Sequence, residues 1–179
     1  MPIIRTERLD LVAATSAHLE AELASPARLG ALLGADVPDG WPPGEYDRPA
    51  VEFFLARLTE NPAAEGWYGW YAIERAADGR PATLVGAGGY YGPPDPERTV
   101  EIGYSILSAF QGRGFATELV RGLVARALGT SGIGSVIAHA FPENAASVKV
   151  LERAGFVEDG PGREPGTVRY VQPRPCSSS

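Results

Sequence analysis

Apolar positions change period along the chain, and the changes mark the elements. Residues 9–13 alternate weakly and predict a strand, and Ser16 is placed as N-cap of a helix over 17–24. A second helix is expected after Pro26. Residues 51–58 carry Val51, Phe54, Leu55 and Leu58 at i, i+3, i+4 and i+7, the spacing of one helix face. Three strands follow at 67–73, 84–91 and 99–106, the last two joined by the turn Gly92-Pro93-Pro94-Asp95-Pro96. The period then becomes helical: Phe115, Ala116, Leu119, Val120, Leu123, Val124, Ala127 and Leu128 form one buried stripe. Beyond Gly129–Gly132, residues 136–140 predict a buried strand. Residues 144–154 predict a helix closed by Gly155 at C′, and short strands are expected at 156–158 and 168–171.

A strand, helix, strand unit of this length requires a crossover, so its two strands run parallel inside a sheet begun by antiparallel hairpins. The fold class is therefore α/β with a mixed central sheet. A chain of 179 residues makes one such domain, expected over 1–172, with a disordered tail over 173–179. No internal repeat is present. Residues 34–49 are too rich in turn residues to be regular, yet they include Trp41 and Tyr46. Either the segment plugs the core or it covers a substrate.

Composition narrows the function classes. Hydrophobic residues make up 44% and charged residues 21%, enough for a full core, while 22 glycines and 16 prolines predict long irregular connections. With 16 basic residues against 22 acidic ones the net charge is -6, which disfavours nucleic acid as a partner. The only cysteine is Cys176, so no intrachain disulfide forms. The N-terminus gains charge before any apolar run, and no stretch of 18 apolar residues occurs. These features predict a cytoplasmic protein with no membrane partner. His18 and His139 stand alone on separate elements, so no metal is expected and His139 is placed packing beside the sheet.

The strongest local feature is Gln111-Gly112-Arg113-Gly114-Phe115-Ala116, between a strand and an amphipathic helix. A helix N-terminus offers unpaired N–H groups and partial positive charge, and glycines let a phosphate approach the backbone. Arg113 adds a guanidinium that can clamp it. A P-loop is excluded, because the one lysine is Lys149; a dinucleotide fingerprint lacks its acidic residue downstream. A glycine-rich turn without a ligand stays open on spacing alone. Gly129-Thr130-Ser131-Gly132-Ile133 lacks the last glycine of a nucleophile elbow, so a serine hydrolase has no support.

Gln111, Gly114 and Ala116 match the acyl-CoA turn of the GNAT N-acetyltransferase superfamily. Val100-Glu101-Ile102-Gly103-Tyr104-Ser105-Ile106 before the turn and the run from Phe141 to Phe156 resemble the RimJ/RimL-type branch, as does Arg5-Thr6-Glu7-Arg8-Leu9. The resemblance implies a single domain whose mixed sheet, flanked by helices, splays between the strands at 99–106 and 136–140 around an acyl-CoA cleft. It also implies acetyl-CoA as co-substrate and direct transfer of its acetyl group to a primary amine, on a protein N-terminus or a small molecule, in a ternary complex. The implied acyl-CoA contacts are Ile106, Leu107, Gln111, Gly112, Arg113, Gly114, Phe115, Ala116, Thr117, Asn144 and Ser147.

Such a transfer needs a neutral amine, a polarised carbonyl and a stabilised leaving thiolate. Strand alternation puts Glu101, Gly103 and Ser105 on one face and Val100, Ile102, Tyr104 and Ile106 on the other, and Glu101 is the candidate base. Asn144 fits a helix N-cap on spacing, and the resemblance adds contact with the pantetheine arm or the substrate. It likewise puts the Ser147 hydroxyl near the thioester sulfur. Many relatives carry a Tyr acid four residues later, where this chain has Leu151, so Ser147 or water takes that role. Trp41, Tyr90 and Tyr104 are candidate acceptor contacts. Strand edges allow a homodimer. A non-catalytic acyl-CoA-binding module is the alternative reading.

Overall fold

A computed structural model describes residues 1–175; Cys176, the last expected tail residues included, lies outside the described residues. The elements are β1 (Ile3–Arg5), β2 (Leu9–Ala13), α1 (Ser16–Ala24), α2 (Pro26–Leu33), α3 (Arg48–Glu60), β3 (Gly69–Glu74), β4 (Thr83–Tyr90), β5 (Thr99–Ile106), α4 (Phe115–Gly129), β6 (Ser135–Ala140), α5 (Ala145–Arg153), β7 (Val157–Pro161) and β8 (Val168–Pro173). The eight strands form one sheet in the order β1-β2-β3-β4-β5-β6-β8-β7. Every pairing is antiparallel except β5 with β6, the crossover pair expected from the strand, helix, strand pattern. The mixed α/β class holds.

Alternation along the central strands divides the core in two. Trp70 and Ala72 of β3 point with Leu9 and Leu11 toward α4, where Phe115, Leu119 and Leu123 are buried. Tyr71 and Ile73 point the other way, toward Leu19, Leu29, Val51, Phe54 and Leu58 of α1 to α3. Period-2 strands between period-3.6 helices leave no other arrangement in which both faces are covered.

Three details differ from the sequence reading. The N-cap of α1 is Thr15, not Ser16: its hydroxyl accepts the His18 N–H, and the His18 ring reaches back to the Thr15 N–H in a reciprocal box. β1 was not expected, since three residues are too few to show a period; it pairs Ile3–Arg5 with Asp10–Val12. The ordered chain also passes the 172 boundary. Pro173 pairs opposite Ser135, the Arg174 N–H bonds the Gly134 carbonyl, and its guanidinium reaches the Leu128 and Thr130 carbonyls.

The β5–β6 pairing positions the site. It covers Thr99–Glu101 against Ser135–Ile137 and goes no further, so from Ile102 onward the two strands diverge. The splay opens beside the N-termini of α4 and α5. Among the described residues no helix is long and apolar enough to cross a membrane.

Candidate active site

A cleft of about 650 Å³ opens along the splay. Its floor is β5, where Glu101, Gly103 and Ser105 share a face as alternation requires. His139 and Phe141 bound it from the β6 side, Asn144 and Ser147 from α5, and Gly44 to Tyr46 from the 34–49 segment. Arg163, Glu164 and Thr167 reach it from the β7–β8 connection.

Glu101 is the centre of its polar network. One oxygen, Oε1, lies 2.9 Å from His139 Nδ1, and Oε2 accepts from Arg163 at 2.7 Å. Both Glu101 and His139 keep 15% side-chain exposure, enough to meet a ligand and too little to be solvated freely. Tyr91 lies over Gly103 so closely that a Cβ there would come within 2.7 Å of its hydroxyl. Gly103 is therefore the residue that lets this ring sit beside Glu101.

A second polar pair bridges the splay. Tyr104 Oη lies 2.9 Å from Ser147 Oγ and 3.2 Å from the Ser147 carbonyl, linking β5 to α5. Burial pushes the Tyr104 hydroxyl up, against the pull of the Ser147 hydrogen bond, so it stays protonated at neutral pH. Asn144 caps α5 by accepting the Ser147 N–H at 3.2 Å, which holds both residues at the cleft.

The glycine turn stands at the end of β5. Gly112 and Gly114 both take the left-handed conformation, at φ +74° and +83°, and no atom lies within 4 Å of where a Gly112 Cβ would be. Gly114 caps α4 without a side-chain hydrogen bond, leaving the first-turn N–H groups open to an anion. Gln111 turns inward and donates to the Ile106 carbonyl at 3.1 Å. Ile106 and Leu107 are buried, as is Phe115, whose ring lies under the Arg8 and Arg113 guanidiniums at 4.5 and 4.7 Å. Arg113 pairs with Glu74 at 2.9 Å instead of extending into solvent. Ala116 and Thr117 fill the first turn of α4, with Thr117 buried.

Glu118, in that same turn, explains the Arg5–Leu9 motif. Its carboxylate accepts from Thr6 Oγ1 at 2.5 Å, the Arg8 N–H at 2.6 Å, Arg8 Nε at 2.9 Å and the Leu9 N–H at 3.2 Å. Arg8 also donates to the Arg113 carbonyl at 2.8 Å, so the β1–β2 turn braces the glycine turn.

One expected acceptor contact is narrowed and one is corrected. Tyr90 borders the cleft, but it is 1% exposed and packs with Trp67 in the α4-side core, and its hydroxyl, pushed to about 12 by burial against the pull of Arg126, donates to the Leu123 carbonyl at 2.6 Å. Trp41 does not line the cleft. Its indole N–H donates to Glu22 at 2.7 Å, beside the Tyr46 and Tyr71 hydroxyls at 2.9 and 2.6 Å. The 34–49 segment thus plugs with Trp41 and lines with Gly44 to Tyr46. His139 and Arg163 were missed. The readable signal for His139 was parity: parallel pairing of Glu101 with Ile137 puts residue 139 on the face that Glu101 shares.

Comparison with known proteins places this geometry. Residues 8–157 match the acetyltransferase (GNAT) domain family. The N-acetyltransferase YjdG of Bacillus subtilis is 25% identical over 88% of this chain and 90% of its own length. The ribosomal-protein-S5-alanine acetyltransferase of Vibrio fischeri superposes with a TM-score of 0.67 at 16% identity, covering 98% of both chains. RimL, a ribosomal L7/L12 alpha-N-protein acetyltransferase solved in complex with coenzyme A, superposes at 0.65 with 19% identity over 96% of this chain and 98% of its own. At those identities the structures speak for the fold. The family match spans most of the chain, and with it the open splay, the glycine turn and the cleft find their common explanation: the chain belongs to the GNAT acetyltransferase family and is an acetyl-CoA-dependent N-acetyltransferase.

Proposed function

We propose that the cleft receives a primary amine, on a protein N-terminus or a small molecule, and that Glu101 carries the basic function of the site. The observation that carries this reading is the Glu101 network on the floor of a cleft that opens at the β5–β6 splay. Amines are mostly protonated at neutral pH, and a positioned base removes that barrier.

The residues present fit an acyl-CoA. Left-handed Gly112 and Gly114 clear the uncapped N-terminus of α4 for the pyrophosphate, and the unpaired side of β5 beyond Glu101 has room for the pantetheine arm beside Asn144. Bound there, acetyl-CoA supplies the acyl group as a thioester. Phe115 and Ala116 shape the turn from beneath, and Arg113 lies close enough to join it by exchanging its Glu74 partner. Ser147 faces the cleft with the Tyr104 hydroxyl behind it, the arrangement needed to stabilise a leaving thiolate where the relatives' Tyr is replaced by Leu151. RimJ/RimL-type placement of the sequence motifs and a cytoplasmic location agree with this reading.

The test is thiol release from acetyl-CoA against short peptides with free N-termini, polyamines, amino acids and aminoglycosides. Release with one acceptor class is expected and names it. Stabilisation by acetyl-CoA and CoA alike, with no release on any amine, would instead establish a binding module. Ser147→Ala and Tyr104→Phe are each expected to slow transfer roughly 10-fold. Because the two hydroxyls act as one unit, the double variant should be no slower than Ser147→Ala alone. Multiplying losses would separate them.

A further inference from the structure

His139 enters none of the roles above, yet it is bound to the residue at their centre. An ionised carboxylate only accepts hydrogen bonds, so the 2.9 Å contact with Glu101 Oε1 requires the proton on His139 Nδ1. The lone pair of the neutral ring then sits on Nε2. That nitrogen has no hydrogen-bond partner among the described residues, and His139 lines the cleft. Gly162 runs between Thr167 and His139, where a Cβ would come within 2.0 Å of Thr167 Oγ1 and 3.0 Å of His139 Cδ2, so a side chain there would crowd the ring. Both oxygens of Glu101, by contrast, are engaged, one by His139 and one by Arg163.

From this arrangement we infer that His139 Nε2 is the atom that takes the proton from the acceptor amine, with Glu101 acting through it. The inference rests on the amine-transfer reading and assigns its base. Glu101 holds the tautomer and balances the imidazolium that forms, while Arg163 holds Glu101. One proton of the ammonium passes to Nε2, and the freed nitrogen lone pair forms the C–N bond. The C–S bond breaks with its electron pair going to sulfur, a second proton from the nitrogen ends on the sulfur, and His139 returns its own to solvent. The net change is ammonium plus thioester to amide, thiol and one proton. An imidazole suits the task because it can keep one proton on Nδ1 while Nε2 takes another.

Two measurements test it. The chain has two histidines, so ¹⁵N NMR of the rings resolves His139 by the signals that vanish in His139→Asn. Neutral His139 is expected as the Nδ1–H tautomer, with that preference lost in Glu101→Gln. His139→Asn keeps an N–H donor toward Glu101 and should fold. It is expected to lose about 10²-fold or more in kcat at unchanged KM for acetyl-CoA. Added imidazole should restore part of the rate of His139→Ala and none of the rate of Glu101→Gln. An Nε2–H tautomer overturns the assignment. So does a His139→Asn protein at the wild-type rate; if Glu101→Gln is then still slow, Glu101 acts directly and its basic role stands, whereas full rates in both variants remove both.

Discussion

Glu101→Gln turns over about 10²- to 10⁴-fold more slowly than the wild type, with its acetyl-CoA affinity unchanged; this is the largest effect expected of any single substitution. The amide has the shape of the carboxylate but one acceptor oxygen instead of two. His139 and Arg163 both need an acceptor from it, so one of them loses its partner. The charge that would balance a proton received in the cleft is lost as well. If acetyl-CoA is held as proposed, by the glycine turn and the start of α5, none of its contacts is with the Glu101 carboxylate, so its binding measured by calorimetry should not move. Steady-state thiol release at the wild-type rate would remove Glu101 from the chemistry.

Glu118→Ala lowers unfolding free energy by about 2 to 4 kcal/mol in urea titration. The side chain is 12% exposed and gathers four donors, so its loss leaves the Arg8 N–H and Nε without their acceptor and the Thr6 hydroxyl and Leu9 N–H with only the bonds between Thr6 and Leu9. Because Arg8 is released from α4 at the same time, the brace on the Arg113 carbonyl loosens and acetyl-CoA affinity falls with stability. Burial raises the Glu118 carboxyl, but the hydrogen bonds from Thr6 and Arg8 and the Arg8 charge outweigh it and hold it below its ordinary value. The unfolded chain therefore takes up this proton at higher pH than the folded one. The stabilisation is complete above the usual carboxylate range and is lost as pH falls through the lowered folded value, so wild type and Glu118→Gln converge in acid. A stability difference independent of pH would show that the carboxylate charge is not what Thr6 and Arg8 hold.

Where the sequence spoke clearly, a single period ran long enough to be counted. The stripe from Phe115 to Leu128 is α4, and the alternation over residues 99–106 puts Glu101 on the face that opens to the cleft. Ser147 and Tyr104 were each marked, but as members of different sets. Their contact crosses 43 residues and depends on how far the sheet splays, which no local pattern encodes. His139 was set aside for the same reason: a lone histidine acquires meaning only from the register of β6 against β5. Arg163 lies in a connection without period, and Trp41 is misplaced because an aromatic ring beside a cleft and one beneath it look alike in sequence.

The Glu22 carboxylate joins α1, β3 and the 34–49 segment through three aromatic donors. Desolvation raises its proton affinity while the Tyr71, Trp41 and Tyr46 hydrogen bonds pull the other way. A segment tied in this way is no lid waiting to fold over its guest. Its conformational entropy is already lost when the protein folds, so an acceptor meets a standing wall at Gly44 to Tyr46, and the ordering cost of binding falls on the acceptor alone. Short, stiff amines would then gain more from this cleft than long flexible ones of equal contact area.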